Sequence, residues 1–116
     1  MLNFINKNKT IIILWFFIVV YIAYFSYFTI LRLRTLYASY FDLGIMHQTV
    51  FNTYKAIAEK DISKILELTN PFNSLQIKRM AIHNDFLLAL LSPFYFIYAG
   101  PQTLLVIQTI VLALGA

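Results

Sequence analysis

One stretch limits what this chain can fold into more than any other. TIIILWFFIVVYIAYFSYFTIL, residues 10–31, runs without a charge between Lys9 and Arg32. As an α-helix rising about 1.5 Å per residue it reaches roughly 33 Å, enough for a hydrocarbon core of about 30 Å. Tyr21, Tyr24 and Tyr27 fall in its second half, where amphipathic rings suit the headgroup level. Lys7 and Lys9 would also serve as the basic start of a secretion signal. The run is long for that, however, and no small-x-small cleavage pattern follows it. The expectation is an uncleaved transmembrane helix over 10–31 behind a tail at 1–9.

Composition agrees. The chain is 60% hydrophobic and only 12% charged, against roughly a quarter charged in ordinary globular chains, so the membrane class is indicated. Its net charge of +4 is spread along the sequence. Nucleic acid is therefore not an expected partner, because that would want a clustered basic face. Scattered juxtamembrane Lys and Arg suit anionic membrane lipids. Without cysteine, disulfides and thiolate metal sites are excluded.

Residues 32–85 form a polar loop that holds every acid and all but Lys7 and Lys9 of the basic residues. Leu43, Met46, Val50, Tyr54 and Ile57 recur at helical spacing, with Gln48, Asn52, Lys55 and Glu59 on other faces. That pattern predicts an amphipathic helix over about 43–60, suited to the interface plane. Ile62, Ile65 and Leu66 suggest a second one at 61–69, ended by Asn70-Pro71. From Phe86 to Ala116 no charge occurs. Asn84 or Asp85 is placed to cap an interfacial or re-entrant helix over 86–99. Gly100 then ends it, and Pro101 opens the next helix, 101–116. That last helix reaches about 24 Å, short of a span, and no polar flank follows. The fold class expected is all-α integral membrane: one transmembrane helix, a polar loop with amphipathic juxtamembrane helices, and the start of a second span. The chain reads as the beginning of a multi-pass protein whose remaining spans are its partners. Near the first span the charge count ties, Lys7 and Lys9 against Arg32 and Arg34, but over the whole connecting segment, seven basic residues against two, it would place 32–85 in the cytoplasm.

A few residues in the loop are able to carry chemistry. Asp42 precedes a helical pattern, which makes it a plain N-cap worth about 1 kcal/mol. The alternative is an acid held beside the membrane as base or metal ligand. His47 lies on or beside the apolar face and reads as a surface or packed imidazole. His83 and Asp85 form HND before an apolar helix: Asp85 is again a cap, and His83 is a possible ligand for a metal or a phosphate. Lys78-Arg79 is a basic pair that either contacts a phosphate or is simply solvated. No phosphate loop, nucleophile elbow or HExxH pair is present.

The order of these features carries a resemblance. FDLGI at 41–45 with Gln48, then His83, SPFY at 92–95 and PQTLLVIQ at 101–108 are similar to a family of polytopic membrane proteins of unknown function. That family is widespread in archaea and some bacteria. It resembles in turn the GT-C glycosyltransferases, which transfer sugars from polyprenyl-phosphate carriers. The likeness covers about 38–116 and departs from the family at His47, where an acid is common, and at Asn84-Asp85, where Phe usually follows the histidine. It implies a GT-C-like transferase with an extracytoplasmic loop, against the charge count. Asp42 would be the catalytic base or, with His83, would hold a divalent cation such as magnesium or manganese. His83, Lys78 and Arg79 would contact the phosphate of a polyprenyl-phosphate-linked donor. A fragment of this size is not expected to be active alone. The alternative function is a non-catalytic membrane subunit or transporter fragment that binds lipid or partner helices.

Overall fold

The computed structural model describes residues 8–36, 40–70 and 73–115. The chain divides into two compact units: Met1–Tyr37 with Leu105–Ala116, and Ala38–Leu104.

In the first unit α1, Lys9–Arg34, covers the charge-free run in one 26-residue helix. Rings one turn apart stack along it, Tyr21 on Phe25 at 4.4 Å and Tyr24 on Phe28 at 4.6 Å between centroids. Arg32 and Arg34 lie in the last turn, where cations complement the negative end of the helix dipole. Thr35 closes it, giving both its N–H and its hydroxyl to the Leu31 carbonyl. None of its described residues is buried. It is the one unbroken helix among the described residues that is long and apolar enough to cross a membrane.

The second unit is built on α2, Tyr40–Glu59. The apolar stripe expected from spacing packs in part: Leu43, Val50 and Tyr54 meet the core. Val50 is fully buried, but Met46 and Ile57 are exposed, and the buried face runs through Thr49, Val50, Thr53 and Ala56. The two threonines tolerate burial because their hydroxyls donate to carbonyls one turn back, Ile45 and Thr49. Thr53 Oγ1 also accepts from the Leu66 N–H at 2.9 Å, tying the next segment down.

That next segment corrects the all-α expectation. Residues 61–69 are not a helix. Lys60 in the left-handed region ends α2, a short 3₁₀ turn follows at Ile62–Lys64, and Leu66 turns left-handed again. The chain then extends as β1, Glu67–Thr69, paired antiparallel with β2, Gln76–Lys78, in the register Glu67↔Lys78, Leu68↔Ile77, Thr69↔Gln76. Leu66 and Leu68 are buried while Glu67 and Thr69 are less so, the period of two that marks a half-buried strand. Such a hairpin is marginal alone. Two polar residues of α2 dock it: Gln48 bonds Thr69, and Asn52 donates to the Glu67 carbonyl at 2.8 Å.

The chain returns to α2 as α3, Phe86–Leu91, continued by a 3₁₀ turn at Ser92–Phe96. Leu88 and Tyr95 join Val50, Leu66 and Leu104 in the core. At Gly100 a Cβ would sit 2.5 Å from a Tyr98 ring carbon and 2.6 Å from Gln102 Oε1, so the turn accepts only glycine without repacking. α4, Pro101–Gly115, starts at the proline. Between Phe86–Phe96 and Pro101–Gly115 the chain bends by 112°.

Candidate functional site

The first two turns of α2 bring Phe41, Asp42, Ile45 and Met46 to one pocket of the second unit. Asp42 lies inside the first turn and not ahead of it, because the helix starts at Tyr40, and a carboxylate there is favoured by the helix dipole. A pocket of about 430 Å³ opens beside it. Leu68 and Ile77, partners across the hairpin, supply apolar wall, with Asn70 at the end of β1.

The turn after β2 builds the far side of the pocket. The Arg79 N–H bonds the Leu66 carbonyl at 2.7 Å, one step past the ladder. Its own carbonyl then accepts from both Ile82 and His83 at 3.0 Å. This tight turn carries Arg79, Ile82 and His83 to the same pocket as Asp42. Asp42 and His83 are exposed, whereas Arg79 is only 9% exposed. Three chemically capable side chains from positions 42, 79 and 83 thus share one cavity with mostly apolar walls.

Lys78 does not join them. A strand alternates its side chains between faces, so Lys78 points away from its neighbours Ile77 and Arg79. Its ammonium is held by the carbonyls of Ser63 and Ile65. The apparent basic pair is split by local geometry.

Asp85 has a role that spacing did not disclose. It occupies the N-cap position of α3 but makes no side-chain capping bond. Its Oδ2 accepts from Arg79 Nε at 2.7 Å, in an ion pair whose side chains are 11% and 33% exposed. The available sequence signal was the occurrence of opposite charges in an apolar setting. Residues six apart face each other in neither helix nor strand, so only the turn between them makes the pair.

His47 is a packed imidazole outside the pocket. It shares a 2.8 Å hydrogen bond through Nδ1 with the buried hydroxyl of Tyr95, and burial lowers its pKa from the ordinary histidine value.

For a divalent cation the pocket offers Asp42 and His83 among this chain's described residues. No group of three His, Asp or Glu side chains is gathered among them, and Asp42 with His83 make two protein donors at most. Asp42 and His83 line the same pocket and are the side chains that would hold such an ion, which commonly completes its shell with water and substrate phosphate.

The family model described as Predicted membrane protein (DUF2079) matches residues 32–116, which takes in the whole pocket. Neither the curated proteins nor the solved structures include a match to the chain.

Proposed function

Because the chain belongs to this family of predicted membrane proteins, we propose that it supplies the donor pocket of a GT-C-like glycosyltransferase, which transfers a sugar from a polyprenyl phosphate. The observation carrying this reading is the shared cavity of Asp42, Arg79 and His83 with apolar walls. A lipid-linked phosphate presents the same mixture, a charged group joined to hydrocarbon. In this reading the protein is multi-pass, the loop 32–85 is extracytoplasmic, and the pocket lies at headgroup depth.

Asp42, exposed and anchored in the first turn of α2, takes the proton of an acceptor hydroxyl. The acceptor oxygen attacks the anomeric carbon as the bond from that carbon to the phosphate oxygen breaks. The leaving polyprenyl phosphate takes up the bonding electrons, and Arg79 and His83 are the side chains placed to receive its charge. Lys78 is left out, since its ammonium is engaged elsewhere.

The test is sugar transfer from a polyprenyl-phosphate donor by the full chain in its native membrane assembly, compared with Asp42→Asn. Loss of a general base lowers turnover by about 10²- to 10⁴-fold, with donor binding retained. Equal turnover in both proteins would sink the assignment. A non-catalytic subunit remains the competing class, favoured by the exposed rings of α1 such as Tyr24 and Tyr27. It predicts no transfer by the purified assembly, and the same loss of assembly whether or not Asp42 is replaced.

A further inference from the structure

Arg79 and Asp85 stand at the two ends of the turn that carries His83. Arg79 opens it, with its N–H on the Leu66 carbonyl and its own carbonyl accepting from Ile82 and His83. Asp85 closes it, giving its N–H to the His83 carbonyl at 2.9 Å. Arg79 and His83 line the pocket, whereas Asp85 is not part of the lining. A carboxylate at a helix N-cap ordinarily accepts from the first backbone N–H groups of that helix. Asp85 holds the N-cap position of α3 and makes no such bond. Its Oδ2 instead accepts from Arg79 Nε at 2.7 Å.

That choice of nitrogen has a geometric consequence. A guanidinium offers a phosphate two forks, one made by Nε with a terminal nitrogen and one made by the two terminal nitrogens. With Nε occupied, the second fork is the one left for a ligand. The side chain behind it is long and rotamer-rich, so ordering it at the moment of binding would weaken the complex. A carboxylate already on Nε fixes the plane of the guanidinium before a ligand arrives. We propose that Asp85 is a positioning residue of the pocket, one that acts through Arg79 by holding its terminal fork ready for a phosphate. The inference rests on the donor-pocket reading above and adds to it the residue that prepares its arginine. His83 is the second phosphate contact, and its place depends on backbone bonds that a side-chain substitution at Asp85 leaves intact.

The test compares Asp85→Asn with Asp85→Ala in the full chain in detergent, with binding of geranyl phosphate, which stands for the leaving group, read by calorimetry. Both variants lack the carboxylate charge, and only asparagine keeps an oxygen for Nε. The asparagine variant binds geranyl phosphate about three- to tenfold tighter than the alanine variant, the cost of ordering one free side chain. Geraniol, which has no phosphate, binds the two alike. In an Arg79→Gln background the difference between asparagine and alanine disappears, because the residue they act through is gone. Melting temperatures of all variants are recorded beside the affinities. If the alanine variant does not fold, Asp85→Ser replaces it: a serine is a good N-cap but is one bond too short for Nε.

Equal binding of geranyl phosphate by the folded asparagine and alanine (or serine) variants overturns the proposal, even where their melting temperatures differ, since that is the mark of a structural role alone. A difference that persists without Arg79 overturns it too, as does wild-type protein that binds geranyl phosphate no better than geraniol. Sugar transfer is scored separately. The predicted binding pattern without transfer would sink the transferase reading and leave Asp85 in its role, and transfer with equal binding would do the reverse.

Discussion

His47 shows how one side chain's packing sets a pH response. Burial disfavours its charged form, so its folded pKa lies below the unfolded value of about 6.5. The unfolded chain then binds the proton more readily, and protonation favours unfolding. Stability from this site is complete above about pH 6.5 and declines as pH falls from there toward the depressed folded value. Thermal melts of the wild type across this range should show the decline, and His47→Gln should flatten it. An unchanged slope in the variant would assign the dependence elsewhere. At the same scale the sequence showed which side chains were able to react but not which would meet. Asp42, Arg79 and His83 were each visible as candidates. The Arg79–Asp85 pair was not, because it is made by a turn and not by a repeat.

At the scale of elements the hairpin is held by side chains of α2 that spacing assigns to a polar or indifferent face. Thr53 is the sharpest case, since its hydroxyl accepts the Leu66 N–H where β1 begins. Thr53→Val keeps the shape and leaves that N–H buried without a partner, a loss of about 1–3 kcal/mol. Denaturant unfolding in micelles reads this directly. A change under about 0.5 kcal/mol, the range of ordinary surface substitutions, would show that the bond does not anchor the hairpin. Gly100→Ala tests the other end of the unit. Its Cβ meets the Tyr98 ring and the Gln102 amide, so repacking costs about 1–3 kcal/mol, seen as a lower melting temperature. The helical period of α2 was legible, and Leu43, Val50 and Tyr54 of its stripe meet the core, but Met46 and Ile57 are exposed while Thr49 and Thr53 are buried. A threonine that bonds its own helix can be buried, and a methionine at the rim of a pocket can be exposed.

For the whole molecule, α1 and the family of predicted membrane proteins point to the membrane, whereas the side on which the loop lies is a proposal that labelling can decide. The chain has no cysteine, so Leu75→Cys, at an exposed position beside the hairpin turn, gives a single thiol. An extracytoplasmic loop predicts reaction with an impermeant maleimide in intact cells. Protection until the membrane is opened would reverse the topology. The same experiment weighs the count of Lys and Arg against the family likeness, which point in opposite directions here.

What the sequence determined by itself is the part whose physics is local. A charge-free run long enough to cross a bilayer becomes a helix because apolar surroundings force each backbone N–H and C=O to find a partner within its own segment. Proline at 101 opens a helix because its missing N–H is not needed there. The tertiary structure alone decided the pocket. Strand alternation turned Arg79 inward and Lys78 away, the turn after β2 returned His83 toward α2, and Asp85 left its cap for a guanidinium. These outcomes depend on which distant segments lie together, and residue spacing along the chain carries no record of that.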